Sequence, residues 1–186
     1  MGKVVLGMTV SLDGFINDRN GSVAALYPDL AAWRETELGT ESIRNTGAVV
    51  MGRNSYAMAE DPDWFAGNYE YQVPIFVLTH RPPKNHPKET ANLIFTFVTD
   101  GIKSAITQAK AAAGDKDVNI IGATTTAKQC LEAGLADELQ VDIMPVFLGD
   151  GLRAFEKVNE GQIQLERIQV MELPSGRTHL RFRIIK

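Results

Sequence analysis

The sequence predicts an α/β domain of three layers, a mainly parallel sheet between helices with an antiparallel C-terminal hairpin. Two observations predict it. Short apolar runs alternate with helix-like segments from residue 3 to residue 148, the pattern of parallel strands joined by crossover helices. Beyond that the pattern changes. Residues 162–173 and 177–185 flank Pro174-Ser175-Gly176, and the second arm alternates Leu180, Phe182 and Ile184, as one arm of a hairpin does.

Each element has its own signal. Residues 3–10 carry Val4, Val5, Leu6, Met8 and Val10 and read as a strand, and the Gly, Asp and Asn of residues 11–22 read as a loop. Residues 28–38 read as a helix, with Pro28 suited to its first turn and Leu30, Trp33 and Leu38 on one face. Residues 48–51 form a short buried strand and residues 54–58 open a helix; 60–71 is polar and aromatic without period. Residues 74–79 and 93–98 are strands, separated by a proline-rich loop. Asp100 caps a helix that runs to about 113 and stops at Gly114. Residues 118–121 form a strand, 124–133 a helix ended by Gly134, and 139–148 a long strand before the turn Gly149-Asp150-Gly151. In the first arm of the hairpin the apolar phase slips between Leu165 and Ile168, which predicts a bulge near Glu166-Arg167.

The 186 residues suffice for one domain spanning 1–186 with a substantial core. A net charge of −4 and the lack of a basic stripe give no general attraction to nucleic acid. No apolar run approaches membrane-spanning length and no charged leader precedes an apolar core, so a cytoplasmic protein without membrane contact is expected. Cys130 is the single cysteine; it permits no internal disulfide and reads as a buried small hydrophobe. His80, His86 and His179 show no metal-ligand spacing, and Glu60-Asp61-Pro62-Asp63 reads as solvated loop, so no metal site is expected.

Two strand-to-helix junctions carry the chemistry. Gly47-Ala-Val-Val-Met-Gly-Arg-Asn-Ser-Tyr56 runs from an apolar strand through Gly52, Arg53, Asn54 and Ser55 into a helix. Ile121, Gly122, Ala123, Thr124, Thr125 and Thr126 repeat the arrangement. Such junctions present unpaired backbone N–H groups and the positive end of a helix dipole to an anion. Two of them, with a guanidinium at the first, point to a ligand with several phosphates. The strand end Leu78-Thr79-His80-Arg81 adds a hydroxyl and a second guanidinium. Arg53 and Arg81 together suit a 2′-phosphate, hence NADPH rather than NADH; a flavin phosphate would suit the same helix N-termini. Gly149-Asp-Gly151-Leu-Arg-Ala154 matches the loose dinucleotide fingerprint. The chain beyond it is too short for a nucleotide-binding half, and the motif reads as a turn. Reduction also needs a proton source. Asp29, at the start of the 28–38 helix, and Asp13, after the first strand, are the candidates.

Further motifs come in one order across nearly the whole chain: Met8-Thr-Val-Ser-Leu-Asp-Gly-Phe-Ile16, Val50-Met-Gly-Arg-Asn-Ser-Tyr56, Val77-Leu-Thr-His80, Ile120-Ile-Gly-Ala-Thr124 and Ala136-Asp-Glu-Leu-Gln-Val-Asp-Ile-Met-Pro-Val-Phe-Leu-Gly-Asp-Gly151. Together they resemble the dihydrofolate-reductase-like superfamily. The branch resembled most is the reductase domain of the bacterial bifunctional riboflavin-biosynthesis deaminase-reductase, the RibD C-terminal domain family.

The resemblance implies an NADPH-binding reductase domain, often a homodimer, acting on a small heterocyclic substrate. Gly52 to Ser55 would approach the adenosine phosphates. Leu78 to Arg81 would hold the adenosine side, and Gly122 to Thr126 the pyrophosphate. The loop from Val10 to Ile16 would cover the nicotinamide. Pro28-Asp29-Leu30-Ala31 resembles the segment that carries the acid of dihydrofolate reductases. Three departures matter. No Arg occurs between Asn54 and His80, no Trp between Asp13 and Leu26, and the Gly-Gly of the second junction is Gly122-Ala123. The first two argue against dihydrofolate as substrate. The zinc deaminase motifs are absent, so the reductase alone is expected, with 5-amino-6-(5-phosphoribosylamino)uracil reduction as the specific reading. A dihydrofolate reductase and a non-catalytic dinucleotide- or flavin-binding protein are the alternatives. Arg34 and Lys103 are unassigned candidates for a substrate phosphate.

Overall fold

Six of the apolar runs become parallel strands because each is buried on both faces or on one face and an edge. The computed structural model describes residues 2–122, 125–156, 158 and 163–186. In chain order the strands are β1 (Val4–Ser11), β2 (Thr46–Gly52), β3 (Ile75–Leu78), β4 (Phe95–Val98), β5 (Asp117–Ile121), β6 (Glu138–Met144), β7 (Gln164–Glu172) and β8 (Thr178–Ile185). The helices are α1 (Leu30–Glu35), α2 (Glu37–Asn45), α3 (Arg53–Tyr56), the kinked turn α4 (Phe65–Asn68), α5 (Ile102–Ala113) and α6 (Thr125–Glu132). They build one sheet in the order β4-β3-β2-β5-β1-β6-β8-β7. β1 to β6 run parallel, whereas β8 is antiparallel to β6 and β7 to β8. The predicted bulge is present, as a register shift between Arg167 and Gln169.

Three local expectations are corrected. The single helix over 28–38 is two helices, because Thr36 is extended (φ −67°, ψ 157°). Its hydroxyl donates to the Trp33 carbonyl at 2.7 Å and accepts the Gly39 N–H at 3.0 Å, ending α1 and capping α2. The long strand over 139–148 ends at Met144, where Pro145 brings no N–H for a ladder. The cap of α5 is Gly101, without a side-chain bond, rather than Asp100.

The two faces of the sheet are covered differently. On one face Val4, Leu6, Met8, Val10, Val50 and Ile120 pack under α5 and α6, which contribute Ala105, Ile106, Ala109, Ala127, Cys130 and Leu131. Cys130 is fully buried, and burial pushes its thiol up to about 12, as suits an inert core residue. On the other face Val49, Met51, Ile75, Val77 and Phe95 pack against Tyr56, Phe65 and Tyr71. That second core covers β2, β3 and β4 and ends against Ile121 of β5. Under β5, β1, β6 and β8 the same face is polar, because alternate residues are Asn119, Gly7, Thr9, Gln140, Asp142, Arg177 and His179. The apolar layer therefore stops midway across the sheet, and a cavity opens beside it.

A cavity beside two joined glycine junctions

The two junctions found in the sequence emerge side by side. β2 and β5 are parallel neighbours, with Val50 opposite Ile120 and Met51 opposite Ile121, so both end at the carboxyl edge of the sheet, where ligands of open α/β sheets collect. They also interlock. A Cβ at Gly52 would lie 2.7 Å from Thr126 Oγ1, and one at Gly122 would lie 2.0 Å from Ser55 Oγ. Gly122 has φ +96°, a conformation that disfavours a side chain. Arg53 and Asn54 are exposed, and neither side chain has a hydrogen-bond or ion-pair partner among the described residues. Ala123 and Thr124 lie outside the described residues; Thr125 is exposed and Thr126 buried.

Leu78 pairs with Gly52, which brings the end of β3 to the same edge. Thr79 is buried there, and its hydroxyl donates to the Arg81 carbonyl at 3.1 Å and accepts the Arg81 N–H at 3.2 Å. That hydroxyl is used within its own turn, while the side chains of His80 and Arg81 are exposed. Val10 turns its side chain into the α5 and α6 core, leaving only backbone at the edge, and Ile16 packs against the same core. Ile121 lines the cavity.

The cavity has a volume of about 150 Å³. Its floor is a grid set by strand register: Ile121, Gly7 and Gln140 in one row, Thr9, Asp142 and His179 in the next. Tyr27, Leu30, Trp33, Leu38 and Ser42 form one wall, and Glu70 and Tyr71 another. Tyr71 is held by Ser42 at 2.9 Å, and burial pushes its phenol up to about 12.

One buried guanidinium ties the floor to the wall. Arg177, 2% exposed, donates from Nε to Asp29 Oδ2 (3.2 Å) and from Nη2 to Asp29 Oδ1 (2.5 Å) and the Leu26 carbonyl (3.1 Å). From Nη1 it donates to Thr9 Oγ1 and Asp142 Oδ2, both at 3.1 Å. A guanidinium has five N–H donors, and these bonds use all of them. Burial opposes the charge on Arg177, but its hydrogen bond to Asp29 and the charges of Asp142 and Asp29 outweigh it and raise its pKa. His179, also 2% exposed, holds the other oxygen of Asp142 through Nδ1 at 2.7 Å.

Family comparison matches residues 2–177 to the RibD C-terminal domain. The chain belongs to this family. The uncharacterized protein YyaP of Bacillus subtilis (strain 168) is 27% identical over 186 residues, 94% of this chain and 90% of that protein. A putative riboflavin biosynthesis protein from Shewanella sp. PV-4 has the same fold, with a TM-score of 0.78 and 22% identity over 100% of both chains. So does the dihydrofolate reductase of Enterococcus faecalis, solved with NADP(H), with a TM-score of 0.68 and 14% identity over 100% of this chain and 98% of that one.

Against that background the two acids take definite places in this RibD-type domain. Asp29 stands at the N-terminus of α1, behind Arg177; its oxygens engage the guanidinium, and it is not part of the cavity lining. The carboxylates that do line the cavity are Asp142, on the floor, and Glu70, on the wall. Asp13 lies in the loop after β1. Its Oδ1 accepts from Ser11 Oγ (2.5 Å) and Leu148 N–H (3.2 Å), and its Oδ2 from Gly149 N–H (2.8 Å). The Ser11 bond chiefly holds this carboxyl below the usual range. Asp13 braces the β1 loop against the turn after β6 and does not line the cavity. Arg34 donates to Glu70 at 3.0 Å and to the Asn68 carbonyl at 3.2 Å, and Lys103 is on α5, on the opposite face of the sheet.

The sequence reading missed Gly7, Thr9, Trp33, Asp142, Arg177 and His179. A signal existed for one of them. Gly7 interrupts an otherwise apolar central strand, which marks close approach of something else. Entering and along β8, the polar set Arg177, His179, Arg181 reads as a solvated face, and only the wall packed over that face buries its first two members.

Proposed function

We propose that residues 1–186 form an NADPH-dependent reductase domain acting on a small heterocycle, of the type that reduces 5-amino-6-(5-phosphoribosylamino)uracil. The observation that carries this reading is the interlock of Gly52 with Thr126 and of Gly122 with Ser55, at the sheet edge beside a polar cavity. Family membership supports the same reading. NADPH, when bound, supplies the hydride. The chain's own residues bind and exclude water. Backbone N–H groups and hydroxyls from Gly52 to Ser55 and from Gly122 to Thr126 suit the phosphates. Arg53, with His80 and Arg81, suits the 2′-phosphate through guanidinium groups that no other described residue occupies. The loop between Val10 and Ile16, held by Asp13, covers the nicotinamide end. Dihydrofolate is the poorer substrate reading, since Asp29 faces Arg177 and not the cavity.

Calorimetric titration tests this directly. NADPH should bind more tightly than NADH, and Arg53→Ala should weaken NADPH by about tenfold or more, the worth of one charge-assisted hydrogen bond. NADH affinity should barely change. Absence of binding by either nucleotide would overturn the reductase reading.

A homodimer belongs to the same proposal. Among the described residues no strand pairs with the outer edge of β7, and its register places Leu165 and Val170, 44% and 52% exposed, on the apolar face of Leu180 and Ile184. Such an edge needs cover, and a second copy supplies it. Light scattering at micromolar concentration should give twice the chain mass, and Val170→Lys should halve it. A wild-type mass of one chain would sink the proposal.

A further inference from the structure

A helix usually seats on a sheet by burying an apolar stripe, yet none of the six residues of α1 is buried. Leu30 and Trp33 line the cavity, and neither belongs to the two apolar cores. The chain on both sides of α1 is anchored. Leu26 and Asp29 before it are buried, and so are Leu38 and Gly39 after it. Arg177 adds its bonds to Asp29 and to the Leu26 carbonyl. Among the described residues, Arg34 is the one α1 side chain hydrogen-bonded elsewhere. It donates from Nη2 to Glu70 at 3.0 Å and to the Asn68 carbonyl at 3.2 Å, on the opposite side of the cavity wall. The Arg34 side chain is 34% exposed, and an ion pair so accessible to water holds weakly.

The seat that this pair maintains is incompletely satisfied. Among the described residues five buried side-chain atoms have no hydrogen-bond partner, and two of them, Trp33 Nε1 and Arg34 Nε, are on consecutive residues of α1. A buried donor without a partner has lost its hydration and gained nothing for it. Moving α1 outward returns both to water. The backbone has a pivot at each end for such a movement, because Asp29 (φ −113°, ψ 15°) and Thr36 (φ −67°, ψ 157°) are both outside the helical conformation. One backbone bond crosses each pivot: the Trp33 N–H donates to the Asp29 carbonyl at 2.8 Å, and the Thr36 N–H to the Trp33 carbonyl at 3.0 Å.

We propose that α1 is a lid on the cavity, pivoting at Asp29 and Thr36 and latched by Arg34 on Glu70 and the Asn68 carbonyl. The latch favours the closed position, and the two unpaired donors oppose it. A segment with little buried apolar surface between anchored flanks is the kind that opens locally while the rest of the fold stays intact. The inference rests on the reductase reading only for calling what passes under the lid a substrate.

The test is amide hydrogen exchange, followed by NMR on the full ¹⁵N-labelled chain without nucleotide. The Thr36 and residue-33 amides report opening, because their bonds cross the pivots. The Thr40 amide, bonded to the Thr36 carbonyl within α2 at 2.9 Å, is the reference. Glu70→Gln keeps the shape of the latch and removes its charge. It should speed exchange at both pivots about two- to fivefold, the worth of an exposed ion pair, and leave Thr40 unchanged. In wild type, about 1 M salt, which shortens the screening length to about 3 Å, should do the same, and Glu70→Gln should not respond to it. Trp33→Phe removes one unpaired donor and keeps a ring in the wall. It should slow exchange at Thr36 about fivefold or more, the reverse of what lost packing does. The lid is overturned if Glu70→Gln leaves both pivot amides at the wild-type rate, if Trp33→Phe speeds them, or if Thr40 changes in step with Thr36. No nucleotide enters this measurement, so its failure leaves the reductase reading standing, and failure of NADPH to bind in calorimetry leaves the lid standing.

Discussion

Arg177→Met should destabilise the domain by about 3–5 kcal/mol, the usual penalty for breaking a buried ion pair from one side. The reason is what stays behind. Asp29 and Asp142 have side chains only 3% and 14% exposed, and both would lose their guanidinium. The Leu26 carbonyl and Thr9 hydroxyl would lose a donor as well. For a domain of this size the change corresponds to a fall of roughly 6–20 °C in melting temperature, readable by circular dichroism. Arg177→Lys should not rescue it, since an ammonium has three donors and cannot span Asp29, Asp142, Thr9 and Leu26 together. Arg177→Met combined with Asp29→Leu should recover a large part of the loss, because an apolar pair replaces a buried charge left alone. A melting temperature within a degree or two of wild type for Arg177→Met alone would show that the guanidinium does not hold the floor to the wall.

The same arginine explains why the candidate site was only half legible in the sequence. The parallel sheet, the hairpin and its bulge follow from periodicity, which a single sequence displays directly. The glycine junctions are also local: strand, Gly, hydroxyl, helix within ten residues. Their contact with one another is not local, yet it follows from two strands of a parallel sheet ending at one edge. The tie between the cavity floor and its wall is of another kind. Asp29, Asp142 and Arg177 are distant in sequence and meet only because β8 returns beside β6 and α1 folds over that face. Nothing in Arg177 itself separates a keystone from a solvated arginine after a turn. Asp29 was readable as an acid near the site, but the direction its oxygens face is decided by a residue 148 positions away. Thr36 shows the same limit at short range, since a hydroxyl that caps one helix while ending another resembles any helical threonine until the kink is seen.

Gly122→Ala should be the most damaging change at the sheet edge, and its comparison with Gly52→Ala separates two causes. At Gly122 the new Cβ would sit 2.0 Å from Ser55 Oγ and 3.0 Å from Ser55 Cβ, on a backbone with φ +96°. The overlap costs about 1–3 kcal/mol as overpacking, and the backbone conformation about as much again. Removing the Ser55 side chain by Ser55→Gly should restore the first part and leave the second. At Gly52 the backbone is ordinary (φ −78°), and a Cβ would meet only Thr126, its Oγ1 at 2.7 Å. Gly52→Ala should therefore cost less, and Thr126→Ala should restore it almost fully. Chemical denaturation of the four variants and two double variants measures this. Affinity for NADPH should follow the same order, because each overlap pushes α3 away from α6. If Gly122→Ala with Ser55→Gly regained full stability but not NADPH affinity, the glycine would be needed for the approach of the phosphates themselves. If it regained affinity while remaining unstable, the glycine would serve the join between the two helices and nothing beyond it.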